Sequence, residues 1–178
     1  MKPRITRVKA RKTTADTHEM PSMVNLFAKY RVKAPDGHLI DPFARNCDWA
    51  QPYTNDLNPD TGANDHLDAE EYLDRIREQG ISFVLGILDP PFSNRQAGEI
   101  YGTPNLYASD SAKMTRVGRK LGDLIEPGGY IIKCGYNSNP IHPSFECIEI
   151  RMVYHGGTAN DTVFSVWQNV NRKIEEWT

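Results

Sequence analysis

Residues Val84–Gln96 read VLGILDPPFSNRQ. The apolar run that begins at Ile81 stops after Leu88 on an acid, two prolines and an aromatic ring. A continuous apolar run of this length, without alternation, marks a strand covered on both faces. Such strands belong to parallel sheets wrapped by helices, and open sheets of that kind bind ligands at the carboxyl ends of their strands. Asp89-Pro90-Pro91-Phe92 sits at such an end. Each proline fixes φ and removes an N–H, so the turn is stiff and its carbonyls stay free to accept. A carboxylate beside a free carbonyl suits an exocyclic amino group with its two N–H donors, and Phe92 offers a face for a planar base.

Outward from this strand the chain alternates between helical and extended patterns. Ser22–Val32 has helical spacing through Met23, Leu26, Phe27 and Tyr30, ended by Ala34-Pro35-Asp36-Gly37. Short strands follow at His38–Asp41 and Pro52–Asp56. The acids after Asp68 start a helix with a Leu73/Ile76 face, stopped at Gly80. A long amphipathic helix begins near Ser109 or Ser111 and ends at Pro127-Gly128-Gly129. Apolar strands then occupy Tyr130–Tyr136, Glu146–His155 and Thr162–Val170, with a hairpin-like loop at 155–161 between the last two. This order predicts an α/β domain with a mainly parallel sheet, helices on both faces and an antiparallel C-terminal strand pair. Residues 1–22 read as a flexible basic arm, and 23–178 as one domain.

Three predicted strands end in an acid, at Asp41, Asp56 and Asp89, and Asp68 stands where a further short strand could meet its helix. One such Asp is an ordinary turn residue; four along one rim of a sheet point to a ligand. A carboxylate after the second strand can accept both ribose hydroxyls of a nucleoside, and one near the first could hold an ammonium group. The pattern therefore points to an adenosine-containing ligand.

The chain has 178 residues with a net charge of −2, enough for one domain that buries its core without disulfides or metal. Six of the first twelve residues are Lys or Arg and none is acidic, which leaves 15 basic against 23 acidic residues in the remainder. A basic arm on an acidic body reads either as a solubilising tail or as a phosphate-binding one. No apolar run approaches the ~20 residues that span a bilayer. No apolar segment follows the basic N-terminus as a secretory signal would require. Cys47, Cys134 and Cys147 form no metal-ligand spacing and read as reduced core residues, and the five histidines are scattered, so no metal site is expected.

Five stretches, in order TNDLNPD, HLDAEEYL, LDPPFSNRQ, GYNSN and HGGTANDT, are similar to a group of small phage-type adenine-specific DNA methyltransferases. LDPPF resembles the catalytic motif of S-adenosylmethionine-dependent amino methyltransferases, and LIDPFARN resembles their first cofactor motif. The resemblance spans about Leu39 to Gln168 and implies a Rossmann-like class I methyltransferase fold. It implies that Asp89, Pro90, Pro91 and Phe92 are catalytic. Asp41, with Phe43 and Ala44, would face the methionine part of S-adenosylmethionine, Asp56 and Asn58 the ribose, and Asp68 the adenine. Ser93, Asn94, Arg95, Gln96, Tyr101 and Asn137 would lie beside the substrate. The chain departs from the motif at Ala44-Arg45-Asn46-Cys47, where Arg45 replaces a glycine at a point of close backbone approach.

The expected reaction is direct methyl transfer to adenine N6 of DNA with the base flipped out of the duplex. An RNA amino group of the guanine N2 type, or an inactive nucleic-acid-binding scaffold on the same fold, are the rival readings. Only 17 residues, Asn94 to Asp110, separate the catalytic turn from the long helix. That leaves little room for a target-recognition region, so low specificity, a homodimer or a specificity-providing partner chain are expected. The setting implied is the cytoplasm of a prokaryotic cell or phage-infected host.

Overall fold

The computed structural model describes residues 2–10, 16–91, 111–156 and 161–171. Six strands, β1 (Arg4–Lys9), β2 (His38–Ile40), β3 (Phe83–Leu88), β4 (Ile125–Gly135), β5 (Phe145–Tyr154) and β6 (Thr162–Asn169), form one sheet. Its spatial order is β1-β5-β6-β4-β3-β2. β1 pairs parallel with β5, and β2, β3 and β4 pair parallel in turn. β6 alone runs against its neighbours β4 and β5. Five strands therefore point one way, and their carboxyl ends share one rim.

Helices cover both faces, as the buried run of β3 demands. α1 (Pro21–Lys33) lays Met23, Leu26 and Tyr30 against Leu85, Ile87, Ile132, Phe164 and Val166. On the opposite face α2 (Ala69–Glu78) and α3 (Ser111–Leu124) set Tyr72, Leu73, Ile76, Val117 and Leu121 against Phe83, Ile131 and Trp167. All six residues of β3 are buried. The β4–β5 connection needs no helix in the described structure; it runs beneath α3, where a Cβ on Gly122 would stand 2.9 Å from His142 Cβ. The predicted stop at Pro127-Gly128-Gly129 falls inside β4 as a bulge. The β3 register jumps from Phe83–Ile125 to Leu85–Tyr130 there, and Gly128 takes φ 84°.

Two expectations are corrected. The described parts of residues 1–22 are not a free arm: Arg4–Lys9 is an edge strand, Thr17–Glu19 a 3-10 turn, and α1 starts at Pro21. Basic residues are compatible with an exposed edge, which needs no apolar alternation. Pro52–Asp56 is not a strand either. It makes two isolated bridges, Asp41 to Thr54 and Asn55 to Asp65. The buried Asn55 side chain bolts this layer, donating to Pro42 O (3.1 Å) and Leu67 O (3.0 Å) and accepting from Leu67 N (2.9 Å). Among the described residues no helix is long and apolar enough to cross a membrane.

One buried charge ties α1 to the sheet. Glu149 on β5 is 2% exposed and accepts from Lys29 Nζ, from Tyr30 Oη at 2.8 Å and from Arg151 Nη2 at 3.2 Å. Burial alone would raise its pKa, but these donors hold the carboxyl below its ordinary 4.5. Its contribution is present above that value and is lost as pH falls through the lowered one. Glu149→Gln should lower stability by about 2 kcal/mol at pH 7. In urea titrations the gap between variant and parent should begin to narrow as pH falls below the ordinary 4.5 and close once the lowered pKa is passed.

Candidate active site

The sheet brings Asp41 and Asp89 together. They follow β2 and β3, adjacent parallel strands in which Ile40 pairs with Gly86. Both line one narrow cavity of about 30 Å3, whose wall also holds Phe43, Ala44, Pro90 and Pro91. Six of the residues singled out from sequence therefore share a single recess at the strand rim.

The remaining predicted residues are spread around it. Asp56, fully buried, stands behind the cavity, accepting from Arg45 N at 3.1 Å and Asn58 N at 2.9 Å. Asn58 stabilises its own turn, its Oδ1 accepting from Asp60 N at 2.9 Å. Asp68 caps α2 by accepting from Glu70 N (3.0 Å), and its other oxygen pairs with Lys113 at 2.6 Å. Asn137 belongs to a second cavity, of about 270 Å3, which also has Leu88, Met114, Lys133 and Ile141 in its wall. Its Oδ1 accepts from Lys133 Nζ at 3.1 Å and from Asn139 N at 3.1 Å. Phe92, Ser93, Asn94, Arg95, Gln96 and Tyr101 lie outside the described residues.

Burial dominates the electrostatics, and neighbouring acids add to it. Burial pushes the Asp41 carboxyl well above its ordinary value; the Phe43 N–H at 3.0 Å opposes this, and the charges of Asp89 and Asp56 add to it. Asp89 is pushed up to about 7, chiefly by burial. Hydrogen bonds from the Thr17 and Cys134 side chains and the charge of Arg45 pull it back, while Asp16 pushes it further up. Burial drives both nearby thiols upward, Cys47 to about 12 and Cys134 well above 9, so neither is a thiolate near neutral pH. Among the described residues no group of three or more His, Cys, Asp and Glu is placed to hold a metal ion.

Sequence reasoning missed the residues that close the cavity. The 3-10 turn brings Asp16, Thr17 and His18 over it from the N-terminal side. Trp49, stacked on Phe27 with ring centroids 4.1 Å apart, forms another part of the wall. Arg45 pairs with Asp16 at 2.5 Å. No local pattern marks Thr17 or Cys134, since each gains its role only when strands far apart in sequence come together.

Arg45 also accounts for the altered motif. Its φ is 49°, in the left-handed region where glycine sits freely and other residues pay about 1–2 kcal/mol. The backbone therefore follows the path a glycine would take, and the N–H still reaches Asp56. The side chain adds the bond to Asp16.

A comparison with family models finds no match, and a comparison with curated protein sequences finds none either. Solved structures do match. The chain is similar to the N-methyltransferase NodS from Bradyrhizobium japonicum WM9, with TM-score 0.57 and 9% identity over 83% of this chain and 94% of that one. It is similar to a SAM-dependent methyltransferase from Agrobacterium tumefaciens, with TM-score 0.53 and 12% identity over 89% and 66%. It is also similar to TrmN from Thermus thermophilus, with TM-score 0.51 and 13% identity over 84% and 49%, so it spans about half of that protein. Likeness at such identity shows the fold. The chain has the α/β, Rossmann-like fold of these methyltransferases, with a mixed, mostly parallel sheet.

Two substitutions separate the backbone role of Arg45 from its ion pair. Arg45→Gly keeps the left-handed turn and removes a partly exposed pair worth at most about 1 kcal/mol. Global stability should change by less than about 1 kcal/mol, while exchange at the Glu19 and Met20 amides, bonded to Asp16 O and Thr17 O, should rise about threefold. Arg45→Val, β-branched at positive φ, should instead lower global stability by about 1–2 kcal/mol.

Proposed function

We propose that this chain transfers a methyl group from S-adenosylmethionine to an exocyclic amino group of a nucleic-acid base, with adenine N6 of DNA as the target its sequence motif favours. The observation that carries the reading is the placement of Asp89-Pro90-Pro91 on the same rim and in the same cavity as Asp41. Further support comes from the fold, on which NodS is an N-methyltransferase.

The donor set suits the cofactor. The charges of Asp89 and Asp56 act on Asp41, and both Asp41 and Asp89 hold their protons above the ordinary carboxylate range, chiefly through burial. A ligand carrying positive charge relieves that repulsion. Asp41 would face this charge, with Phe43 and Ala44 along its path and Asp56 behind them. When bound, the cofactor supplies an electrophilic methyl group on a positively charged sulfur. A nucleoside-sized molecule is larger than this recess of about 30 Å3, which Asp16, Thr17 and His18 narrow from one side.

The chain's own groups then act on the amine. The Asp89 carboxylate and the Pro90 carbonyl accept its hydrogens and hold the lone pair in line for attack. Both acceptors favour the more tetrahedral nitrogen that develops as the new bond forms, so they stabilise the transition state more than the planar ground state. The methylated nitrogen carries an acidic proton, which leaves without a dedicated strong base. Neutral Cys134 donates to Asp89 and forms no covalent bond to the ring. In a duplex the target base leaves the stack to reach this rim.

Incubation with methyl-labelled cofactor and either DNA or ribosomal RNA, followed by nucleoside mass analysis, tests the reading. N6-methyladenine in DNA is the expected product. Label confined to RNA would move the assignment to an RNA amine. No label, together with no calorimetric cofactor binding at millimolar concentration, would make the chain a scaffold.

Asp89→Ala should lower kcat at least about a hundredfold while cofactor binding is retained, weakened by no more than about tenfold. Because Asp89 is the stronger acceptor when ionised, kcat/KM of the parent should rise with pH and level off above about 7. Asp89→Asn should lose that limb, and a profile unchanged by it would remove Asp89 from the titration.

A further inference from the structure

β1 is left over by the proposed reaction, and its chemistry differs from that of the rest of the surface. It is an edge strand with five of its six residues exposed. Arg4, Arg7 and Lys9 form no ion pair among the described residues. The cations of α2 and α3 contrast with them: Arg75 pairs with Asp65, Arg77 with Asp123, Lys113 with Asp68, Arg116 with Glu70 and Lys120 with Asp74. The acid opposite Arg4 in register is Glu149, already bound by Lys29, Tyr30 and Arg151. The positive charge of β1 is therefore not offset locally, on a body that is otherwise acidic.

Register places Ile5, Arg7 and Lys9 on one face with Ile150, Met152 and Tyr154 of β5. Neither Ile150 nor Met152 belongs to either hydrophobic core, and Ile5 and Tyr154 are 61% and 42% exposed. Beyond Lys9 the strand borders a groove of about 300 Å3 whose wall offers Ser22, Asn25 and Arg151 as polar groups. Cations interleaved with apolar and aromatic side chains on an exposed sheet edge, with the groove on the α1 side of the same edge, match a polyanion with a partly apolar surface.

Direction and distance connect this surface to the site. β1 runs parallel to β5, which runs the same way as β3 and β4, so Lys9 lies at the rim where Asp89 lies. Four strand steps separate β1 from β3, which is roughly 19 Å at about 4.8 Å per step. At 3.4 Å per base pair this is about six base pairs of duplex.

We propose that β1 and the adjoining face of β5 bind the phosphate backbone of the nucleic acid about six base pairs to one side of the base that is modified. The proposal rests on the nucleic-acid substrate inferred above. It differs from a flexible basic tail in having a fixed position, and so a fixed polarity and distance.

The test uses the full chain, the triple variant Arg4→Gln/Arg7→Gln/Lys9→Gln and the single variant Arg7→Gln. Fluorescence anisotropy follows binding to a labelled 30-base-pair DNA duplex, and to its RNA counterpart, over a range of salt. Each backbone contact contributes about 0.9 to the slope of log K against log salt on DNA. The triple variant should therefore lose about 2–3 from the slope and the single variant about 1. The RNA arm identifies the preferred polymer. Duplexes cut to three base pairs on either side of a single adenine should bind parent and triple variant alike.

Calorimetry with S-adenosylmethionine separates failure of this proposal from failure of the methyltransferase reading. Reduced salt slopes with no cofactor binding uphold the surface and sink the enzyme. Methyl transfer by the parent, with slopes unchanged in both variants, sinks the surface. A change of sedimentation coefficient in the triple variant, without a change of slope, would show that β1 pairs with a second copy and would also overturn the proposal. The single Arg7→Gln variant, exposed on an edge, keeps the test open should the triple variant fold poorly.

Discussion

The arrangement depends on one constraint: β2 and β3 lie side by side and run in the same direction. Parallel neighbours end at the same rim, so the residues that follow them are forced into proximity whatever their charge. Here those residues are Asp41 and Asp89, and the layer beyond β2 adds Asp56. Three carboxyls in such surroundings oppose folding unless they are hydrogen-bonded, protonated or met by a cation. All three remedies are in use. Phe43, Arg45 and Asn58 N–H groups serve Asp41 and Asp56, burial keeps protons on Asp41 and Asp89, and Arg45 brings a charge to the edge of the cavity. The fully buried β3, fixed between two cores, is what prevents the acids from simply moving apart.

The layer next to β2 shows how side chains can replace a strand. Residues 53–56 make only bridge-level pairing, and Asn55 supplies the missing ladder with three side-chain hydrogen bonds. Because those bonds go to Pro42 and Leu67, the turn after Asp41 and the approach to α2 are held by one residue. This fixes where Arg45 stands. Its left-handed backbone stores about 1–2 kcal/mol of strain, which the Asp56 bond and the Asp16 pair offset.

Much of this was legible in the sequence, for local reasons. The β3 run, the α2 and α3 faces and the Asp89-Pro90-Pro91 turn each carry their signal within a dozen residues. What was not legible depends on distant partners. RITRVK has no apolar alternation, and its partner in the sheet lies some 145 residues away, so β1 reads as a tail. Pro52–Asp56 has strand-like composition, but its hydrogen bonds go to a loop. The site divides in the same way. Asp41, Asp89, Pro90 and Pro91 follow from strand ends, and Phe43 and Ala44 from the motif resemblance, whereas Thr17, Cys134 and Trp49 reach the cavity only through the assembled fold.

The raised pKa values of Asp41 and Asp89 have a consequence for the order of events. In the closed cavity Asp89 holds its proton until about pH 7, and a protonated carboxyl is a poorer acceptor for an amine. A positive ligand beside Asp41 and Asp89 lowers both pKa values by the same attraction that binds it. Binding and ionisation are then linked: the ligand binds more tightly to the ionised pair, and the pair is more ionised with the ligand present. The amine acceptor would thus be formed by the arrival of the methyl donor, and a base reaching the rim earlier would meet a neutral carboxyl. Under the proposed reaction, this rim of buried acids would favour binding of the cofactor before the base.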